Sequence, residues 1–342
     1  MIEDRKLHEQ AAHAVDRQPA RIPLLLYGAL LFCVGTIMYL TGVVMTFPRV
    51  LFGLNAYLYE LNQWIVWYSG VPIALGIVLA LADLLLFFNR KRFGTPLRCD
   101  LVTDRSVTVA LTAYNDEDSI AAAVKDFLDN PMVRRVIVVS NNSKDQTYAR
   151  AESAGALTFN EEAPGYGRCV FRCLTEAAKH DDVEYVVLCE GDRTFRALDI
   201  EKLLAYIPHA DIVNGTRTVE TLREHETQLS TFMYYGNIFV AKLLEAKHLG
   251  RGTVTDVGTT YKLVRRDALQ RLLPLVNPAI NLEFNAHFLD KALEKGFVLV
   301  ECPITFHPRV GVSKGGNVND WRGFTVGMKM IAGITFGWKK PA

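Results

Sequence analysis

The sequence predicts an α/β domain with a mostly parallel sheet, preceded by two transmembrane helices and followed by an interfacial helix. Three observations predict it. Two long apolar runs lie near the N-terminus. β-Branched runs alternate with helical patterns from about residue 106 onward. Polar clusters fall at the carboxyl ends of those runs. The composition agrees with two unlike parts: of 342 residues, 50% are hydrophobic and 22% charged, and the mean hydropathy is +0.11. That apolar content excludes a disordered chain. With 38 Lys+Arg against 37 Asp+Glu, no basic excess exists to neutralise phosphates, which excludes a general nucleic-acid binder.

The first run, residues 22–47, has no Asp, Glu, Lys, Arg or His. At ~1.5 Å per residue it exceeds the ~30 Å hydrocarbon core and can span with tilt. The second, residues 64–88, has one charge, Asp83. The long polar lead and the lack of a small-residue cleavage site argue against a signal peptide. Arg5, Lys6, Arg17 and Arg21 precede the first run, and Arg90, Lys91, Arg92 and Arg98 follow the second, whereas the loop between holds only Arg49, offset by Glu60. The positive-inside rule then puts both ends in the cytoplasm. Asp83 is expected to reach the interface or a basic neighbour. Residues 1–21 read as a cytoplasmic segment, 22–92 as the membrane region, 100–320 as the catalytic domain and 321–342 as a membrane-interface tail.

Within the domain, 106–112 (SVTVALT), 135–140 (RVIVVS), 157–159 and 185–189 (YVVLC) read as strands. Residues 118–128, 146–154 and 167–179 read as helices between them. This alternation implies parallel strands covered on both faces, with ligands at their carboxyl ends. Those ends carry Tyr114-Asn115-Asp116-Glu117, Asn141-Asn142-Ser143-Lys144-Asp145 and Glu190-Gly191-Asp192. A Walker loop and a GxGxxG turn after the first strand are missing, which argues against a dinucleotide domain. The six cysteines have neither zinc spacing nor a disulfide framework and read as reduced packing residues.

Glu190 and Asp192, one residue apart after a buried strand, suit a hard divalent cation shared with a diphosphate; a solvated acidic turn is the plain alternative. Asp256 is a base, a substrate ligand or a turn cap on sequence grounds. Glu283, in a helix expected over 281–293, faces either an acceptor or solvent. Arg309 to Gly316 (RVGVSKGG) is a basic glycine loop suited to phosphates. In the tail, Trp321, Phe324, Met328 and Ile331 recur at helical spacing among basic residues, as in an interfacial helix. A third hydrophobic segment and a helix packed on the domain are the other readings.

Six motifs in order carry a specific resemblance. They are Ala113-Tyr114-Asn115-Asp116-Glu117; 139–147 with Asn141 and Asp145; Gly165-Tyr166-Gly167; Glu190-Gly191-Asp192; Glu301-Cys302-Pro303-Ile304; and Arg309 with Ser313 and Lys314. From about 107 to 314 the chain resembles family 2 glycosyltransferases of the GT-A fold, and among them those making polyprenyl-phosphate sugars, such as dolichyl-phosphate mannose synthase. Two departures stand out. Ser140 and Asn141 replace acids that usually contact the nucleoside, and Glu190 replaces the first Asp of the D-x-D metal motif.

The resemblance implies an inverting hexosyltransferase using a UDP- or GDP-linked sugar. It implies Mg2+ or Mn2+ on Glu190 and Asp192. It also implies donor contacts at Ala113, Tyr114, Asn115, Asp116, Glu117, Asn141, Asp145, Gly165, Gly167 and Gly191, and phosphate contacts at Arg309, Ser313 and Lys314. The acceptor is a polyprenyl phosphate or, alternatively, a lipid-linked glycan at a membrane lipid surface; a homo-oligomer is compatible with either. A phosphate acceptor needs no base, whereas a sugar hydroxyl does, with Asp256 and then Glu283 as candidates. A nucleotidyltransferase, a processive synthase and a catalytically dead scaffold fit the motifs less well.

Overall fold

The computed structural model describes residues 22–88, 97–311 and 319–339. The described chain falls into two compact units. One comprises the N-terminal helices together with Leu243–Gly250, and the other holds the remainder.

In the first unit, α1 (Leu24–Leu51) packs against α2 (Asn55–Tyr68) and α3 (Gly70–Ala82), the last continuing as a π-turn over Asp83–Phe87. Two stretches, Leu24–Leu51 and Leu58–Phe87, are long and apolar enough to cross a membrane. Only 11% of each is buried, the reverse of a soluble core helix. The second thus begins earlier than residue 64. The polar residue Asn62 does not interrupt the helix, because its side-chain amide is buried and donates to the Gly42 carbonyl. The helices approach closely at small residues: a Cβ on Gly28 would lie 2.6 Å from the Gly76 carbonyl oxygen. Asp83 is fully buried, and its Oδ2 accepts from the Leu25 backbone N–H at 2.7 Å, satisfying a free donor in the first turn of α1. The N-terminal basic cluster and residues 89–96 lie outside the described residues.

The second unit is a seven-stranded sheet with helices on its faces. Its strands are β1 (Val107–Ala113), β2 (Val133–Ser140), β3 (Leu157–Asn160), β4 (Tyr185–Glu190), β5 (Ile212–Thr216), β6 (Lys262–Arg265) and β7 (Leu299–Pro303), in the order β3-β2-β1-β4-β6-β5-β7. All pairs are parallel except those of β6, which runs against both neighbours. Every residue of β1 is buried, so the sheet is covered on both faces, as its unbroken apolar run requires. The first four strands and the helices between them, α4 (Ile120–Leu128), α5 (Thr147–Ser153) and α6 (Tyr166–Ala178), lie within two residues of their expected positions. The expected helix over 281–293 is α10 (Phe284–Glu294) and the tail helix is α11 (Asp320–Phe336). Sequence reasoning assigned nothing to β5, β6, α7 (Ile200–Tyr206), α8 (Thr231–Lys247) or α9 (Arg266–Leu272).

Register positions the site. Ala113 pairs with Ser140 and Thr112 with Glu190, so the turns after β1, β2 and β4 leave the sheet at one level. The chain order reverses there, between β2 and β4 on either side of β1, which is where such sheets open a crevice.

Candidate active site

The crevice is a cavity of about 1100 Å3. Its polar end is lined by Thr112, Ala113, Tyr114, Asp116, Asn141, Asn142, Lys144, Glu190, Asp192, Arg217 and Arg309. Its apolar wall comes from α8 (Phe232, Met233, Phe239, Val240) and α11 (Phe324, Val326, Met328, Ile331).

The turns after β1 and β2 are clasped together. Asn115 N–H donates to Ser143 Oγ at 3.0 Å, and Asn115 Oδ1 accepts from Lys144 N–H at 2.7 Å. Asn115 adopts φ 50°, a left-handed turn conformation that Asn tolerates. Glu117 N–H donates to Asp145 Oδ2, and Gln146 N–H returns to Glu117 Oε2, both at 3.2 Å. Glu117 and Asp145 therefore hold backbone and stand outside the cleft lining. Burial pushes the Asp145 carboxyl up, but hydrogen bonds from Thr147 and from Glu117 N–H outweigh it and leave it below its ordinary value. Asn141 lines the cleft and stitches β2 to the glycine turn: its Nδ2 donates to the Ala163 carbonyl and its Oδ1 accepts from Gly165 N–H, both at 3.0 Å. Gly165 has φ 138°, which strains any side-chain-bearing residue, and a Cβ on Gly167 would lie 1.7 Å from the Ile280 oxygen and could not fit without displacement.

The turn after β4 supplies the acids. Gly191 N–H donates to the Thr112 carbonyl, and Gly191 O accepts from Ser119 Oγ, both at 2.9 Å. Glu190 and Asp192 flank this pinned residue and both line the cleft. Asp192 Oδ1 accepts from the Thr194 N–H (3.0 Å) and hydroxyl (2.6 Å). Glu190 Oε1 accepts from the Thr260 hydroxyl at 2.6 Å. Burial and the adjoining Asp192 carboxylate push the Glu190 carboxyl up to about 7. Arg309 spans two acids, with Nη1 2.8 Å from Asp192 Oδ2 and Nη2 2.7 Å from Asp116 Oδ1. Burial works against its charge, but Asp192, Asp116 and Glu190 more than restore it. Ser313 and Lys314 lie outside the described residues.

Three carboxylates around one guanidinium leave an excess of negative charge at the cleft rim. This set of hard oxygens, with Glu190 driven toward protonation, fits a divalent cation. Among the described residues no group of three or more His, Cys, Asp or Glu side chains forms a complete metal cage. A cation on Glu190 and Asp192 would therefore draw further oxygens from a ligand.

Asp256 is wired differently. It is fully buried, and Arg217 grips it with Nε at 2.7 Å and Nη2 at 2.8 Å. Asn237 Nδ2 and the N–H groups of Arg217, Gly258 and Thr259 add donors at 2.8 to 3.1 Å. Burial pushes this carboxyl up, yet Arg217 and the other donors hold it at about 2. Its bonding is that of an anchor for Arg217, whose side chain lines the cleft. Glu301 braces the same loop from below, accepting from Thr255 N–H at 2.7 Å and Asp256 N–H at 3.0 Å. Glu283 precedes α10 and lies 4.0 Å from Lys329 Nζ of α11, whereas its neighbours Asn281, Leu282 and Asn285 line the cleft. Neither candidate base thus presents a free carboxylate to the cavity.

Sequence reasoning missed Arg217, Asn237, Thr260 and Asn285. None of the four carried a legible signal: Arg217 follows 212–216 (IVNGT), whose Asn and Gly mask the strand that positions it. In the tail, Phe324, Met328 and Ile331 of the predicted stripe line the cleft, while Trp321 stacks on Phe324 (ring centroids 5.7 Å apart). Asn319 Oδ1 caps α11 by accepting from Arg322 N–H at 2.8 Å. Beyond the helix, Trp338 Nε1 donates to Asp290 Oδ2 at 2.6 Å, so this end packs on the domain.

Residues 108–273 match the family model described as Glycosyl transferase family 2. The low-salt glycan biosynthesis hexosyltransferase Agl6 of Haloferax volcanii is 26% identical over 231 residues, which cover 64% of this chain and 52% of that protein. The chain thus matches about half the length of that relative. The dolichyl-phosphate hexose transferase of the same organism is 27% identical over 209 residues, covering 61% of this chain and 86% of that protein. Among solved structures, glucosyl-3-phosphoglycerate synthase from Mycobacterium tuberculosis, in complex with Mn2+, uridine diphosphate and glucosyl-3-phosphoglycerate, superimposes with a TM-score of 0.51 at 17% identity. That match covers 73% of this chain and 88% of that one, and shows a shared fold.

Proposed function

From the premise that residues 108–273 form a family 2 glycosyltransferase domain, we propose that this chain is an inverting, metal-dependent hexosyltransferase. It moves a sugar from a nucleotide-diphosphate donor to a polyprenyl phosphate on the cytoplasmic membrane face. One observation carries the acceptor class: a single cavity joins the acidic and arginine-bearing rim to an apolar wall of Phe232, Phe239, Phe324 and Met328. A phosphate headgroup with a long hydrocarbon tail matches both ends, whereas a soluble sugar acceptor leaves the apolar wall without a partner. The two apolar N-terminal helices and the similarity to a dolichyl-phosphate hexose transferase support the same class. The Mn2+ and UDP bound by a protein of the same fold support the donor and metal.

The turns after β1 and β2 take the nucleoside side of the donor and leave the base, UDP or GDP, open. Glu190 and Asp192 hold Mg2+ or Mn2+. A divalent cation bound by them would supply counter-charge for the departing diphosphate. Arg309, already poised between two acids, and Arg217, held rigid by Asp256, present cationic donors to phosphate oxygens. The acceptor phosphate is ionised near pH 7, its second pKa being about 6, so it attacks the anomeric carbon without a general base. Occupation of Asp256 by Arg217 agrees with that, and speaks against the alternative of transfer to a sugar hydroxyl on a lipid-linked glycan.

The test is to incubate the purified full chain and Mg2+ or Mn2+ with a panel of nucleotide sugars and undecaprenyl or dolichyl phosphate. The lipid product is read by mass. A lipid heavier by one sugar residue is expected. Transfer to soluble acceptors alone, with every lipid phosphate unmodified, contradicts the proposal.

A further inference from the structure

Glu190 has one more rotatable bond than the Asp expected at its place, so its carboxylate needs an external restraint to be held for a cation. Beneath it lies a buried polar layer that the proposed reaction does not use: Thr260, Lys262 and Asn285 are at most 4% exposed. Lys262 sits mid-sheet on β6, paired with Leu188 and Asn214. Burial lowers its ammonium to about 7. An N–H donor there still has to be satisfied, whether the amine is charged or neutral.

With Glu190 ionised, donor counting fixes the order of bonds. Lys262 Nζ donates to the Thr259 carbonyl and to Asn285 Oδ1 at 3.2 Å. That fixes the Asn285 amide with its oxygen toward the lysine and its nitrogen toward the site. Asn285 Nδ2 donates to Tyr166 Oη at 3.0 Å, and also lies 3.2 Å from Thr260 Oγ1 and from the Gly258 carbonyl. With Glu190 ionised, as holding a cation requires, its carboxylate only accepts and takes the single hydroxyl proton of Thr260. The hydrogen bond between Tyr166 and Thr260 must then be donated by the Tyr166 hydroxyl. Every proton points the same way, from Lys262 through Asn285, Tyr166 and Thr260 to Glu190. Such aligned bonds polarise one another.

We infer that Lys262, Asn285, Tyr166 and Thr260 form a one-way hydrogen-bond chain that positions the Glu190 carboxylate for a divalent cation. The inference rests on the metal role proposed above for Glu190. These are positioning residues, acting through Glu190. The chain also gives the tyrosine of the glycine turn a function: it couples the turn before α6, through its ring, to the acidic turn after β4.

The test reads Mn2+ affinity directly, by electron paramagnetic resonance of free Mn2+ titrated into the detergent-solubilised full chain, alone and with UDP or GDP. Thr260→Val is expected to weaken Mn2+ binding by about tenfold or more, as loss of an outer-shell partner does. Tyr166→Phe, which keeps the ring, is expected to weaken it roughly three- to tenfold. Thr260→Ser keeps the hydroxyl and should stay within about twofold of the parent. Sugar transfer by Tyr166→Phe should fall at limiting Mn2+ and recover at saturating Mn2+, a rescue that general structural damage does not show. If the parent binds Mn2+ and folded Tyr166→Phe binds it equally well, the chain has no positioning role. A parent that binds no Mn2+ even with UDP or GDP removes the metal reading, and this inference with it.

Discussion

Asp256 lies beneath the cleft and Asp192 at its rim, and the two acids are surrounded in opposite ways. Asp256 receives six hydrogen bonds, three of them from Arg217, and is held at about 2. Around Asp192, the Arg309 guanidinium is divided between Asp192 and Asp116, and the adjoining Glu190 is driven up to about 7. The first site is saturated and closed, so its energy goes into holding Arg217 and the 255–260 loop. The second is deficient in positive charge and opens onto the cavity, so a bound cation would relieve repulsion already present in the fold. In the sequence Asp192 read as a metal ligand and Asp256 as a base, a substrate ligand or a turn cap; the donors counted around each show how differently the fold surrounds them.

The largest expected effect breaks the closed site. Asp256→Asn leaves the Arg217 guanidinium buried without its counter-charge and should cost about 3–5 kcal/mol of stability, read by denaturant unfolding in detergent. Transfer to a lipid phosphate by the folded fraction should be weakened but not abolished. Total loss of transfer from a well-folded variant would return Asp256 to the role of base.

Asp192→Ala acts on the open site. It should leave the fold intact and lower turnover by roughly 10²–10³-fold, in the range for removing a principal electrostatic stabiliser. Turnover equal to that of the parent would contradict the metal assignment. Chelation of divalent cations should produce a comparable loss in the parent protein.

The third prediction concerns pH. The Glu190 carboxyl has an ordinary value of 4.5, raised in the folded protein to about 7. Between those values the folded state binds the extra proton, so stability falls as pH rises through this window and levels off above it. Glu190→Gln removes that slope. In metal-free buffer, its stability relative to the parent should improve by on the order of 1–3 kcal/mol between pH 4.5 and 7.5. Parallel curves for the two proteins would show that the rim acids are not in conflict.

The smallest effect sharpens the contrast between rim and wall. Phe324→Ser with Met328→Ser strips apolar surface from α11 and should raise KM for a long-chain polyprenyl phosphate by about tenfold. A short-chain phosphate should be affected much less. Equal effects on both would detach the wall from the acceptor tail.

The first half of the sheet was legible because β1, β2 and β4 are rich in β-branched residues and their polar turns stand at one edge. The second half was not. β6 is four residues, Lys262–Arg265, with a cation at each end, and it reverses the sheet direction, so neither period nor composition announces a strand. β5 includes Asn214 and Gly215, which read as a turn unless Glu301 and the Ile304 side chain are known to pack there. Phe232, Gly236 and Phe239 are spaced for one helix face, but Tyr234, Tyr235 and Asn237 between them blur the stripe. The acids at 190 and 192 were visible as a motif. What distinguished them from Asp256 lay in contacts from residues 217, 237 and 309, distant in sequence.

The most direct measurement of the central claim is the 31P NMR spectrum of polyprenyl phosphate during turnover with the cognate nucleotide sugar. Conversion of the phosphomonoester signal into that of a sugar phosphodiester, at the rate of nucleoside diphosphate release, is the predicted result. A monoester signal that persists while a sugar hydroxyl becomes glycosylated would contradict it.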